Sequence, residues 1–259
     1  MGVETTNTVT TAIPIVDAET YGAVDPHVVV LTRPRGAAAE QYRVLRQRVE
    51  RAIGDGRKCI GVTSATAGEG KTTTAVNLAL ALGLGQRHRV ALVDANLRAP
   101  SVHAMLGLRP TAGLVDVIEE RVPLESALWR FRSDHLYVLP AGQTADPHAI
   151  VASRRLGLLL QELRRRFDVV IVDAAPILPT ADALTLGPEL DGALLVVRAG
   201  RTPREVVRLA IDALPDVPLL GCVLHRVQEG VGAPWRLFAR HDREVQRALP
   251  PARTALDGK

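Results

Sequence analysis

Apolar positions along this chain fall into short, near-continuous runs separated by longer amphipathic stretches. The runs are Cys59-Ile60 with Val62, Val90 to Val93, Leu136 to Leu139, Val169 to Val172, Ala193 to Val197, and Leu219 to Leu224. They are too short for helices and have no polar face, so they predict buried strands of a parallel sheet. Between them the period changes to that of a helix. Leu156, Leu159, Leu160 and Leu163 stripe residues 153–167, Thr73 to Leu84 is amphipathic, and Pro203 opens a helix reaching Leu214. An earlier helix is predicted over residues 37–53, closed by Gly54, with Tyr42, Leu45, Val49 and Ile53 on one face. Strand and helix alternate, which predicts an α/β fold: three layers, a mostly parallel central sheet with helices on both faces. Val28 to Leu31 reads as a short extended segment. Residues 1–27, rich in Thr, Ala and Val without period, read as a flexible tail, and residues 229–259 as a polar, arginine-rich one. In the latter, Trp235, Leu237 and Phe238 are candidate anchors.

Composition narrows the class. The chain has 259 residues and is 47% apolar, enough for one large domain, but only 3% aromatic, so the core must be aliphatic. Cys59 and Cys222 both fall in strand runs and read as buried free thiols in a reducing compartment. No apolar run reaches the ~18 residues of a membrane span, and no basic-then-apolar leader opens the chain. The expectation is a cytoplasmic protein without a transmembrane segment. The net charge of +4 is a weak excess. Its densest clusters, Arg164 to Arg166 and Arg43/Arg46/Arg48, lie on amphipathic helices, and aromatics for base stacking are missing. No nucleic-acid partner is expected.

The candidate chemistry centres on Gly61 to Thr74, where a strand run meets a helix run through Ala65-Thr66-Ala67-Gly68-Glu69-Gly70-Lys71-Thr72. Gly68 and Gly70 let successive N–H groups turn toward an anion, and the helix beginning near Thr73 adds its own N-terminal donors. Lys71 is placed to reach β- and γ-phosphates, and the Thr72 hydroxyl to meet Mg²⁺. The stretch from Ala67 to Thr73 is therefore the expected nucleotide cradle of a P-loop NTPase. Ala65 replaces the customary first glycine, a mild departure at a position that shapes the turn.

Two strand runs end in acids, Asp94 and Asp173, which a parallel sheet gathers on the ligand-binding edge. Two carboxylates facing a triphosphate require a cation between them, and Mg²⁺ is the expected one. Asp173 is assigned to the Mg²⁺ shell through water. Asp94 is placed to accept a proton from an attacking hydroxyl or to orient a water. Arg98, just beyond, could hold a phosphate or a carboxylate.

These residues together resemble the bacterial tyrosine kinases (BY-kinases) of capsule and exopolysaccharide assembly. The resemblance rests on the loop from Ala65 to Thr72, on Val93-Asp94-Ala95-Asn96-Leu97-Arg98, on Val170 to Asp173, and on the Glu40/Arg43/Arg46 spacing. Pro179 to Leu184 and Val196 to Gly200 add to it; it covers about Val28 to Val227, most of the chain, and implies a kinase-like domain over residues 28–228. It implies an ATP- and Mg²⁺-dependent domain, catalytic residues Lys71, Asp94, Asp173 and Arg98, and a metal shell of Thr72, Asp94, Asn96 and Asp173. It also implies a homo-oligomeric ring packed through Glu40, Arg43 and Arg46, although spacing alone reads that helix as an ordinary docked one. The implied partner is the cytoplasmic tail of a membrane chain-length regulator, a polysaccharide co-polymerase, which would recruit the protein to the inner face of the plasma membrane.

Three departures qualify what the resemblance implies. The tyrosines are Tyr21, Tyr42 and Tyr137, so the C-terminal tail holds no phenol to accept phosphate. Asn96 stands where the family has a second acid and brings no charge. Ala174-Ala175-Pro176 replaces a threonine-bearing turn. His225 stands where the family often has an asparagine near the adenine, and reads equally as a base contact or an ordinary strand-end histidine. Two other classes compete with a kinase. One is a nucleotide-gated scaffold without phosphotransfer. The other is a partitioning ATPase, which would place a second lysine where Thr66 stands.

Overall fold

The strands of the computed structural model, which describes residues 22–214 and 217–226, follow the apolar runs closely. In chain order they are β1 (Cys59–Ser64), β2 (Val90–Asp94), β3 (Trp129–Arg130), β4 (Leu136–Leu139), β5 (Val169–Asp173), β6 (Gly192–Arg198) and β7 (Leu219–His225). They form one sheet in the order β3-β4-β2-β5-β1-β6-β7. Every pairing is parallel except the short edge strand β3 on β4.

Successive side chains on a strand point to opposite faces, and both faces here are dry. Val90 and Leu92 of β2 and Val169 and Ile171 of β5 pack toward α2 (Ala37–Gly54) and α3 (Lys71–Gly83), with Val49, Leu78 and Leu82. Their neighbours Ala91, Val93, Val170 and Val172 pack on the other face toward α8 (Arg154–Arg166), through Leu156, Leu159, Leu160 and Leu163. The expected leucine stripe is thus the buried face of α8. A smaller cluster of Leu195, Val197 and Ala210 seats α10 (Arg204–Asp212) beside β6. Tyr42, Leu45, Val49 and Ile53 form the inner face of α2, as their spacing predicts.

Where the structure differs from the sequence expectation, tertiary contacts are the reason. Val29–Thr32 is a short helix, α1, and not an extended segment. Its β-branched run disfavours helix, but the Val30 N–H donates to Asn77 Oδ1 (3.0 Å) and the Thr32 hydroxyl turns back to the Val28 carbonyl (3.1 Å). The chain is fixed before residue 28 as well. Gly22 N–H donates to Gly107 O (2.7 Å) and Asp25 N–H to Met105 O (2.9 Å), so residues 22–27 are docked. Residues 1–21, with Tyr21, lie outside the described residues, as do the expected tail 229–259 and its Trp235, Leu237 and Phe238. Cys59 is buried as expected, but Cys222 is exposed, because edge strand β7 is only half covered. The very short elements were not anticipated: α4 (Val102–Met105), α5 (Leu114–Ile118), α6 (Leu124–Ala127), α7 (Pro147–Val151), α9 (Asp182–Leu186) and β3. Each helix is shorter than two turns and β3 is no longer than one strand period, so a hydrophobic pattern has no room to show. Among the described residues, no helix is long and apolar enough to cross a membrane.

Asn77 ties the first segment to the helix that follows the phosphate loop. Besides accepting from Val30, its Nδ2 donates to His27 O (2.9 Å) and Thr73 O (2.8 Å), all with the side chain fully buried. Asn77→Ala orphans those backbone groups and should cost about 2–3 kcal/mol in a urea titration. An unchanged midpoint would show that the segment is not held this way.

Candidate functional site

β1 ends at Ser64 and α3 begins at Lys71, so residues 65–70 form the connecting loop. Gly68 (φ 77°) and Gly70 (φ 100°) are left-handed, which is where glycine is needed. Gly70 is also crowded: a Cβ there would lie 2.5 Å from Nδ1 of His225, whose ring packs on the loop from the end of β7. The loop braces itself. Ser64 Oγ donates to Thr66 O (2.6 Å), while Thr66 donates both its N–H (3.2 Å) and its hydroxyl (2.7 Å) to Glu69 Oε1. Glu69 is 2% exposed. Its side chain is therefore a clamp across the loop, a role that a backbone-centred reading of the motif misses.

Asp94 and Asp173 are register partners at the ends of adjacent parallel strands β2 and β5, and Val62 of β1 is the partner of Asp173 on its other side. Both carboxylates are fully buried. Asp94 accepts three backbone N–H groups: Asn96 (3.2 Å) on Oδ1, and Ser101 (3.1 Å) and Val102 (3.0 Å) on Oδ2. Burial nonetheless pushes its pKa up, against those donors and the Lys71 charge. Neither oxygen of Asp173 has a hydrogen-bond partner. Burial pushes it up to about 7, with Lys71 and the nearby Thr72 hydroxyl opposing and Asp94 adding to the rise. The Lys71 charge thus acts on both acids. Thr72 Oγ1, at the first turn of α3, accepts from Ser101 Oγ (3.3 Å).

These donors fit a hard cation. Asp173 offers two buried, unpartnered oxygens, with the Thr72 hydroxyl and Asp94 nearby. Among the described residues no group of three His, Cys, Asp or Glu side chains could hold a metal alone. Few protein oxygens, completed by phosphate and water, is the manner of Mg²⁺ and not of a closed metal cage.

Comparison with known proteins agrees with this fold. The family model described as "ParA: NUBPL iron-transfer P-loop NTPase" matches residues 56–222. Tyrosine-protein kinase YwqD of Bacillus subtilis is 35% identical over 225 residues, covering 85% of this chain and 94% of YwqD. The chain belongs to the BY-kinase family of P-loop NTPases. The succinoglycan biosynthesis transport protein ExoP of Rhizobium meliloti is 31% identical over 76% of this chain, which spans 26% of ExoP. The kinase domain of the Escherichia coli tyrosine kinase ETK shares the fold, with a TM-score of 0.76, 24% identity, and coverage of 84% of this chain and 87% of that one.

Against BY-kinase expectations the remaining residues divide. Asn96 is buried beside Asp94, but its Nδ2 donates to Ala99 O (2.9 Å), so its amide braces the loop after β2. Arg98 holds a carboxylate belonging to the chain itself: its Nε donates to Asp182 Oδ2 (2.6 Å), and His148 Nδ1 lies 3.1 Å from Asp182 Oδ1. Asp182 and His148 were not foreseen, since 84 positions of sequence separate Arg98 from Asp182 and 34 separate His148 from Asp182. On α2, Arg43 Nη1 pairs with Glu40 Oε2 (2.5 Å), both exposed, whereas Arg46 turns inward to Ala81 O (3.3 Å) near the C-terminus of α3. Arg46 therefore has an intramolecular docking role.

Asp173 supplies a test with a definite sign. Its folded pKa is raised, so the native state binds the proton more tightly than the unfolded chain, and metal-free stability falls as pH rises from about 4 to about 7. Asp173→Asn should stabilise the metal-free protein at pH 8 by on the order of 2–4 kcal/mol. The gain should shrink through pH 7 and vanish below 3.8. Thermal melts in chelator across this range measure it, and destabilisation at pH 8 would refute an uncompensated charge.

Proposed function

We propose that this chain is an ATP-dependent, kinase-like P-loop protein of exopolysaccharide or capsule biosynthesis. It would hydrolyse ATP or transfer its γ-phosphate to protein tyrosine. The observation supporting this is the Asp173 carboxylate, buried without a partner next to Asp94 and Lys71 at the mouth of the phosphate loop. The loop N–H groups from Ala67 to Thr73 and the Lys71 ammonium would hold the phosphates, and His225 would border the base. Thr72 and Asp173 would hold Mg²⁺, with Asn96 and Asp94 facing its water; the ion supplies charge neutralisation at the phosphates. Asp94 keeps one lone pair on Oδ1 beyond its three N–H bonds and is fixed in place to take the acceptor proton. In transfer, a phenol oxygen bonds to the γ-phosphorus, the bond to the β–γ bridging oxygen breaks, and ADP leaves with the electron pair. Arg98, held by Asp182, orders the loop that carries Asp94 and Asn96.

The fold limits the acceptor. Tyr137 is buried on β4, its ring 5.2 Å from that of Phe167 with Arg89 over both. Tyr42 lies on the inner face of α2. The accepting phenol is then in another protein or at Tyr21. The proposed partner is a membrane chain-length regulator, whose cytoplasmic tail would bring this protein to the inner face of the membrane. Purified protein with Mg²⁺-ATP should release ADP and form phosphotyrosine, and Lys71→Ala should lower both by about a hundredfold or more. Equal signals from the two proteins would remove the catalytic assignment.

A second reading is favoured by the neutral Asn96, whose amide is spent on its own loop. Here ATP drives ring assembly on the membrane partner without useful phosphotransfer. Sizing chromatography with and without ATP should show a nucleotide-dependent oligomer that Glu40→Ala with Arg43→Ala disperses. A monomer in both states would exclude this reading.

A further inference from the structure

Ser101 stands at a position where serine has a usual task. It is the N-cap of α4, and a serine hydroxyl there ordinarily accepts one of the first free N–H groups of its own helix. Here the hydroxyl makes no such bond. Asp94, reaching in from β2, takes the donors instead: its Oδ2 accepts from the N–H groups of Ser101 (3.1 Å) and Val102 (3.0 Å). The Ser101 hydroxyl is free for another partner, and it donates to Thr72 Oγ1 on α3 (3.3 Å). One residue therefore touches two groups of the site, Asp94 through its backbone and Thr72 through its side chain.

The second contact has a chemical consequence. A hydroxyl has one proton to give and two lone pairs to offer. The proton from Ser101 occupies one lone pair of Thr72 Oγ1 and turns the Thr72 proton away from Ser101. One lone pair remains, and oxygen lone pairs are what a hard cation takes. At 3.3 Å the bond is long for two hydroxyls, so it sets the Thr72 rotor without removing the oxygen from use. Alanine at position 101 would free that rotor, while its backbone N–H could still hold Asp94.

The stretch carrying Ser101 is braced on both sides. Before it, Asn96 Nδ2 donates to Ala99 O (2.9 Å) and the Ala99 N–H returns to Asn96 O (3.0 Å). After it, the Met105 N–H donates to Ser101 O (3.0 Å), and Met105 O and Gly107 O accept from Asp25 (2.9 Å) and Gly22 (2.7 Å). Gly107 (φ 68°) permits that approach, because a Cβ there would lie 2.5 Å from Gly22 O. Ser101 is thus presented to Thr72 by a frame tied down at both ends.

We propose that Ser101 is a positioning residue for the divalent cation, holding the Thr72 hydroxyl so that its free lone pair is available to the metal. The proposal rests on the Mg²⁺-nucleotide reading given above.

Calorimetric titration of ADP into the full chain, in chelator and again in excess Mg²⁺, tests it. In Ser101→Ala the gain in affinity that Mg²⁺ brings should fall about tenfold against wild type, with ADP affinity in chelator unchanged. Ser101→Thr keeps a hydroxyl on the same carbon and should restore the gain. Ser101 is only half-buried, so both variants should fold. A Mg²⁺ gain in Ser101→Ala equal to that of wild type would overturn the proposal. So would an equal loss of affinity with and without the metal, which marks a purely structural part for the hydroxyl. In both cases uptake of Mg²⁺-ADP by wild type would leave the functional reading standing. Wild type that takes up no Mg²⁺-ADP would remove that reading and the proposal together.

Discussion

Two carboxylates share the carboxyl edge of a dry parallel sheet, and the cost of burying them is the constraint on which the site depends. The order β2-β5-β1 places Asp94 against Asp173 and both against the loop after β1. Removing two like charges from water is costly, and Lys71 offsets that cost in part. The arrangement becomes favourable when a divalent cation and phosphate oxygens complete it. An enzyme that must release its product benefits from a site that is incomplete without ligand, because binding energy then orders groups the fold has already positioned.

The surrounding structure limits how that site can relax. Asp94 cannot swing away, because three N–H groups of the loop leading into α4 hold it. The phosphate loop cannot open easily, because Glu69 bridges back to Thr66 and the His225 ring packs on Gly70. Arg98, Asp182 and His148 join the loops after β2 and β5 with α7, so the outer rim is cross-braced by charge-assisted bonds. Burial would raise the Asp182 pKa, but Arg98 and His148 outweigh it and hold that carboxyl below its usual range. The pair is thus ionised across the physiological range and serves as a fixed brace.

The same residues show where family likeness and local chemistry part. Arg46, whose spacing with Glu40 and Arg43 resembles that of BY-kinases, donates to one carbonyl near the end of α3, that of Ala81. Asn96, where the resemblance implies an acid, uses its amide as a turn brace. A neutral residue there lowers the negative charge around the cradle by one, which eases the cost just described and weakens the pull on a cation.

The pattern of the chain determined by itself the strands, the long helices, the phosphate loop and the two strand-end acids. Those features are local: a buried strand needs a run of aliphatic residues, an amphipathic helix needs its period, and a phosphate loop needs glycine where φ is positive. Tertiary structure alone decided that Val29–Thr32 coils on Asn77, that Cys222 is exposed on an edge, and that Glu69 turns in to clamp its own loop. It alone brought Asp182 between Arg98 and His148, and Arg201 beside the phosphate loop. Those outcomes depend on strand order and on which elements crowd one sheet edge, and contacts between residues tens of positions apart leave no period in the sequence to read.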